Sequence, residues 1–269
     1  MTRRRSDQRL TRRLAERGAV DLGRRPDRVI VEEPLEIRLD GELVATTMRT
    51  PGDDFDLAAG FCITDGLLGD ANVLSCRYCG TGSAVETEFN VVSVDTGGHA
   101  PVPTARLSMT SSSCGICGTE QIDELCARLA PLPEYELWDR AVLFSMVEGV
   151  REAQELFDHT GGVHAAAAFT RTGEIVTVRE DIGRHNAVDK VVGALSFAGR
   201  LPARELALFV SGRASFEMVQ KAWAAGFEAL VSVSAPSSLA IEVAERAGLT
   251  LMGFVRGDEC NIYVEPGVR

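Results

Sequence analysis

From Trp138 to Val255 the chain alternates helix-forming and strand-forming apolar segments, a pattern that admits little besides a layered α/β sheet. The spacing predicts a helix over Arg140 to Phe157, then strands at Ala165 to Phe169 and Glu174 to Val178 around the turn Arg171-Thr172-Gly173. In the next helix, Asn186 to Phe197, residues Ala187, Val188, Val191, Val192 and Leu195 recur at helical intervals and define a buried stripe. Leu206 to Val210 is a short, wholly apolar strand. It is followed by helix at Phe216 to Ala225, strand at Leu230 to Val233, helix at Leu239 to Ala247 and strand at Leu251 to Val255. Strands joined through a helix must run the same way, so this last stretch predicts parallel pairing.

The preceding segment reads differently. Arg28 to Ile37 and Leu43 to Met48 are rich in strand formers, and Asp40-Gly41 between them is a hairpin signal. Pro51-Gly52-Asp53 stops the strand and supplies an acidic cap for a helix over Phe55 to Ile63, whose Phe55, Ala58, Ala59 and Cys62 share a core-facing side. A strand at Glu86 to Val94, a Gly/Pro-rich passage from Thr96 to Pro103 and a helix from Gln121 to Leu129, capped by Thr119, complete this part. Pro131-Leu132-Pro133 marks the internal boundary. Residues 29–133 are thus expected to form an N-terminal subdomain and residues 134–269 the α/β core.

Charge is unevenly placed. Met1 to Arg28 carries ten arginines against four acids, which leaves about −17 on the rest out of a formal total of −11. With little apolar periodicity, residues 1–28 are expected to be a disordered basic arm, and the acidity of the remainder argues against a nucleic-acid role. Arg3-Arg4-Arg5 and Arg12-Arg13 look like twin-arginine signals, but no apolar region follows them. No apolar run approaches the roughly 20 residues of a membrane helix. Seven cysteines, an odd number, point to free or metal-bound thiols in a reducing cytoplasm.

The chemistry concentrates in a few loops. Thr110 to Gly118 places Cys114 and Cys117 three positions apart among serines and glycines, which leaves both sulfurs reachable. Such a pair serves thiol chemistry or half of a zinc site. Ser211-Gly212-Arg213-Ala214-Ser215 follows a strand and opens a helix. Amide donors, two hydroxyls and the Arg213 guanidinium there suit an anion. Arg179 to Asn186, which includes Arg184 and His185, is dense in ionisable side chains, and Gly161-Gly162-Val163-His164 sets a histidine at the mouth of a strand.

Taken together, Thr47 to Thr64, Ser111 to Gly118, Gly161 to Ala165, Glu180 to Lys190, Ser211 to Ala222 and Gly253 to Tyr263 resemble the FdhD family of formate dehydrogenase accessory sulfur carriers. The resemblance covers nearly everything after the basic arm. It implies a cytidine-deaminase-like layered α/β core with a smaller β-rich N-terminal subdomain, assembled as a homodimer. It implies a sulfurtransferase that takes sulfur from a cysteine desulfurase and supplies it to the molybdenum cofactor, bis-molybdopterin guanine dinucleotide, before insertion into formate dehydrogenase. On the family's pattern Cys114 bears the persulfide and Cys117 assists; physics alone does not choose between them. Cofactor binding falls on Phe254, Val255, Arg256, Gly257, Asp258 and Glu259, with Arg213 and Arg184 as further phosphate partners. No metal site of the protein's own is expected.

Cys76-Arg77-Tyr78-Cys79 is a second Cys-x-x-Cys, and two such pairs would suffice for a Cys₄ zinc knuckle. A structural-zinc module without sulfur transfer is therefore the alternative reading. Deaminase chemistry is not expected: no His-x-Glu occurs, and Ser113 rather than proline precedes Cys114.

Overall fold

The structure is a computed structural model and describes residues 4–15, 20–79, 90–102 and 129–266. Its first part contains strands β1 (Ser6–Ala15), β2 (Val20–Ile30), β3 (Glu33–Leu39) and β4 (Glu42–Arg49), helix α1 (Asp54–Thr64), and strands β5 (Ser75–Tyr78) and β6 (Val91–Asp95). Strands β3 to β6 form a four-stranded sheet in the order β4-β3-β6-β5. The β3–β4 hairpin turns at Asp40 and Gly41, both with positive φ (50° and 93°), the backbone that a two-residue hairpin matched to strand twist requires. Leu35, Ile37, Leu39, Val92 and Val94 from the sheet bury against Leu57, Ala58 and Cys62 of α1. Cys62 is core, as its helical position predicts, whereas Phe55 is only half-buried and packs its ring 4.7 Å from that of Tyr78.

The amino-terminal segment departs from the expectation of a disordered arm. β1 and β2 pair antiparallel from Ser6↔Ile30 to Ala15↔Val20, a hairpin that straddles the expected boundary at residue 28. Its base is held by the body: Val31 N donates to Arg5 O (2.9 Å), and Arg5 lies 3.7 Å from the Asp53 carboxylate. Ile30 abuts Gly162, where an added Cβ would lie 3.4 Å from Ile30 Cγ2. The composition argument failed because backbone pairing requires no apolar face. The single strand expected over Arg28 to Ile37 divides into β2, which pairs with β1, and β3, which pairs with β4 and β6.

The second part contains α2 (Arg140–Glu152), α3 (Glu155–Thr160), β7 (His164–Thr170), β8 (Ile175–Asp181), α4 (Arg184–Phe197), β9 (Leu206–Val210), α5 (Phe216–Ala225), β10 (Ala229–Ser232), α6 (Ser238–Ala247), β11 (Thr250–Arg256) and β12 (Glu259–Val264). The six strands order as β12-β11-β10-β9-β7-β8. β9, β10 and β11 are parallel, as the β-α-β pattern predicts, while β7, β8 and β12 run antiparallel to their neighbours. One face buries Ala166, Leu208, Val210 and Leu230 under α4, α5 and α6. The other buries Phe169, Phe209, Val231 and Met252 under Leu143, Met146 and Val150 of α2 and under Trp138. The helix expected over Arg140 to Phe157 is two, because the buried Glu180 carboxylate accepts from Leu156 N (2.8 Å) and Phe157 N (2.9 Å) and so caps a fresh start at α3.

The two parts meet where α1 crosses α4. A Cβ at Gly60 would lie 1.8 Å from Asp189 O, and one at Gly193 would lie 1.9 Å from Asp56 O. The helices therefore touch backbone to backbone, with a glycine on each side of the crossing.

Candidate functional site

Because β9, β10 and β11 are parallel, the loops after them open on one edge of the sheet, and antiparallel pairing brings the start of β7 and the end of β8 to that edge. His164 at the head of β7 pairs in register with Asp181 at the end of β8. Ser211, just beyond β9, donates its N–H to Ala165 O (2.9 Å), accepts from Ala165 N at Oγ (2.9 Å), and sets that hydroxyl 3.4 Å from His164 Nδ1. A side chain at Gly212 would lie 3.4 Å from His164 Nδ1 and 3.5 Å from Arg184 Cδ, so the glycine lets both approach the loop. Burial, then the Arg184 and His185 charges, hold the His164 pKa below the ordinary histidine value of 6.5, which keeps the imidazole neutral near pH 7.

Arg184 Nε and Ser215 Oγ are buried with no partner among the described residues. Both belong to the turns expected to take an anion, and a buried donor left unsatisfied costs about 1–3 kcal/mol, which a bound acceptor would remove. Arg213 stands exposed beside them in sequence. Below, His185 Nε2 lies 2.6 Å from Glu217 Oε2, and the contact holds the Glu217 carboxyl below its usual value. A cavity of about 580 Å³ opens at this edge, lined by Arg151, Phe157, Val163, His164, Ile182 and Ser211 among others.

The ends of β8 and α4 are positioned by buried ion pairs that join the two parts. Asp181, fully buried, accepts from Lys190 Nζ (2.7 Å), Thr50 N (3.1 Å), Gly183 N (2.8 Å) and Asn186 Nδ2 (3.0 Å). Ile182 N donates to Thr50 Oγ1 (3.1 Å), and Lys190 Nζ also reaches Thr50 O (3.0 Å). A second pair, Asp189 with Lys221 (2.9 Å), is joined by Thr64 Oγ1 (2.7 Å from Asp189 Oδ1). Sequence reading missed these roles, although charges at 189 and 190 inside an apolar helical stripe are the signal of buried pairing. Asp181→Ala leaves the Lys190 ammonium buried without its counter-charge and should lower unfolding stability by about 3–5 kcal/mol. A urea midpoint within experimental error of the wild type would refute this.

The segment expected to hold the cofactor, Phe254 to Glu259, is the β11–β12 hairpin, with Gly257-Asp258 as its two-residue turn between Arg256 and its register partner Glu259. Parallel β11 carries it past the ends of β9 and β10, on the same edge. Phe254 has a positive φ of 54°, donates its N–H to Ser234 O (3.1 Å) and is 40% exposed. Arg256, Gly257, Asp258 and Glu259 are exposed. Val255 is not available to a ligand: it is fully buried in the sheet core, because alternation along β11 turns it inward. A second cavity, about 520 Å³, lies beside this hairpin and is lined by Arg140, Phe144, Phe254, Asp258, Cys260 and Asn261 among others.

Cys114 and Cys117 lie outside the described residues, as do Thr119 and residues 121–128 of the expected helix. The second cysteine pair is described. Cys76 sits in β5 and packs partly buried against the subdomain core, and Cys79 continues the extended pairing by donating its N–H to Val91 O (2.9 Å). Side chains three positions apart on extended backbone point to opposite sides, whereas a zinc knuckle turns both thiols to one point. Burial, with a lesser push from Asp56, raises the Cys76 thiol to about 12. At pH 8 iodoacetamide should therefore label Cys76 about a hundredfold more slowly than an exposed thiol. Comparable labelling rates by peptide mass mapping would show that Cys76 is a competent nucleophile after all.

With this geometry in view, comparison with known proteins is specific. A family model described as FdhD/NarQ matches residues 30–268. The chain is 50% identical over 249 residues to the sulfur carrier protein FdhD of Streptomyces avermitilis, spanning 89% of this chain and 88% of that one. It is 50% identical over 244 residues to the protein of the same name from Nocardia farcinica, with 89% and 87% covered. A solved structure described as a formate dehydrogenase accessory protein, from Desulfotalea psychrophila, superposes with a TM-score of 0.75 at 25% identity, over 97% of this chain and 98% of that one. The layered α/β core with its β-rich N-terminal part is shared with that structure.

Proposed function

This chain belongs to the FdhD/NarQ family, and from that premise we propose that it is a sulfur carrier in formate dehydrogenase maturation, acting as a sulfurtransferase through a cysteine persulfide. The observation that carries the reading is the Cys114-Gly115-Ile116-Cys117 loop in a chain 50% identical, over 89% of its length, to a protein named sulfur carrier FdhD.

In the proposed reaction the Cys114 thiolate attacks the outer sulfur of a persulfide on a cysteine desulfurase. The donor's cysteine thiolate departs, and Cys114 is left as R–S–S⁻. Cys117, three positions further along the sequence, assists or resolves the persulfide in this reading. The outer sulfur then passes to the substrate, the molybdenum cofactor in its bis-guanine-dinucleotide form: the S–S bond breaks with its electron pair on Cys114, which is regenerated as the thiolate, and the new molybdenum–sulfur bond takes its two electrons from reduced molybdenum of the substrate. Neither transfer is a net redox change at the carrier, and both proceed in a reducing cytoplasm.

We infer that the cofactor binds along the carboxyl edge of the sheet. Arg184 and Ser215, whose buried donors have no protein partner among the described residues, and the exposed Arg213 suit its phosphates. Arg256 offers a further cation, Asp258 and Glu259 offer acceptors for guanine N1 and N2, and Phe254 offers an exposed ring. Val255 contributes by packing beneath them.

The test is direct. Incubated with a cysteine desulfurase and cysteine, the protein should gain the mass of one sulfur atom, and a thiol reductant should remove it. No gain, or a gain that resists reduction, would overturn the persulfide reading.

A further inference from the structure

The cavity of about 580 Å³ at the carboxyl edge differs in chemistry from the turns beside it. Its walls are Val147, Phe157, Val163, Ile182, Phe209 and Val233, and among the described residues that line it Arg151 alone is charged. Arg151 is exposed and already engaged, with Nη1 2.5 Å from Asp158 Oδ1 and Cζ 4.9 Å from the centre of the Phe157 ring. The volume falls in the range of small-molecule sites, roughly 300–1,000 Å³, and an apolar cleft without a free cation suits an uncharged ligand better than a phosphate.

The polar groups of the cavity converge on His164. Ser211 Oγ accepts from Ala165 N (2.9 Å) and lies 3.4 Å from His164 Nδ1, and these are its side-chain contacts among the described residues. Ala165 N only donates to that oxygen, so the serine proton has one acceptor in reach, Nδ1. With Nδ1 accepting and the imidazole neutral near pH 7, the ring proton sits on Nε2, which has no partner among the described residues. Arg184 and His185 of α4 act with burial to oppose protonation of the ring, while Asp181 of β8 favours it. Gly212 lets the ring seat there, since a Cβ would stand 3.4 Å from Nδ1 and 3.5 Å from Cε1.

We propose that Ser211 is a positioning residue that fixes His164 in its Nε2–H tautomer, and that the cavity takes an uncharged fused heterocycle whose carbonyl or ring nitrogen accepts from His164 Nε2. The inference rests on the sulfur-carrier reading and deepens it: a ring of the cofactor substrate enters the cavity, while Arg184, Arg213 and Ser215 hold its phosphates outside.

Nitrogen NMR on the full chain with labelled histidine, His164 being assigned through its backbone, tests the positioning role. The wild type should show the Nε2–H tautomer near pH 7, a result that needs no variant to fold. Ser211→Ala should populate Nδ1–H, a change of proton position that loosened packing alone does not impose. Free pterin and guanosine are the ligand probes, and the tighter of the two identifies which ring of the cofactor occupies the cavity. His164→Phe keeps a ring but loses the donor, and should weaken that probe about fivefold, the worth of one hydrogen bond. Excess inorganic phosphate at constant ionic strength should not displace it. An Nδ1–H wild type, a Ser211→Ala spectrum like that of the wild type, binding of neither ring, unchanged affinity in His164→Phe, or displacement by phosphate would each overturn the proposal. Sulfur loading, read by intact mass on the same sample, separates the two failures: a chain that loads sulfur and binds neither ring overturns this inference alone, and one that binds a ring without loading sulfur overturns the sulfur-carrier reading and leaves the cavity assignment standing.

Discussion

Cys114→Ser should gain no sulfur when incubated with a desulfurase and cysteine, while Cys117→Ser should still load. Serine is close to isosteric with cysteine, but its hydroxyl has no accessible anion near pH 7 and cannot form a persulfide. Even an unperturbed thiol, with a pKa of about 8.5, is a few per cent ionised there and reacts as the thiolate. The expected loss is therefore complete, not graded, and intact-mass analysis reads it without an activity assay. Among the described thiols, burial holds Cys62 and Cys76 protonated, and Cys260 is raised in the same direction. If Cys114→Ser loads and Cys117→Ser does not, the two roles are exchanged. Loading of the double variant would remove the loop from the chemistry.

Gly193→Ala should destabilise the folded chain by at least about 3 kcal/mol, although alanine is the better helix former by about 1 kcal/mol. The added Cβ would lie 1.9 Å from Asp56 O, a backbone atom with no side-chain freedom to yield. Only separation of α1 from α4 relieves the clash, and that loosens Thr64 Oγ1 from Asp189 (2.7 Å) and Lys221 Nζ from Thr64 (2.8 Å) at the same interface. The steric term thus exceeds the propensity gain. Gly149→Ala is the control: its added Cβ meets only the tip of Ile175, at 3.2 Å, and a flexible side chain can move aside. Urea unfolding with an unchanged slope measures both. A neutral or stabilising Gly193→Ala would mean that the two helices do not cross in backbone contact.

Within the core, local pattern was a faithful guide wherever burial alone decides the structure. Leu206 to Val210 and Phe216 to Ala225 are observed with the bounds that their apolar runs predict, and the β-α-β stretch to β11 is parallel. The errors have partners far along the chain. The break between α2 and α3 is capped by Glu180, 24 residues from Leu156. Strands β1 and β2 are held by cross-strand pairing and by Arg5 and Ile30 at their base, which no composition argument registers. Val255 fell inside a motif whose exposed members alternate with it, and strand alternation removed it from the surface.

The sequence by itself determined the layered class, the alternation of helices and strands, the thiol loop and the polar turns, because each is written in local residue order and periodicity. Only the tertiary structure decided that His164, Ser211, Arg184 and the Phe254 hairpin share one edge, since strand direction and order set that edge and neither is local. It alone paired Asp181 with Lys190 and Asp189 with Lys221, because a charge enters a core only where the fold brings its counter-charge within hydrogen-bond reach.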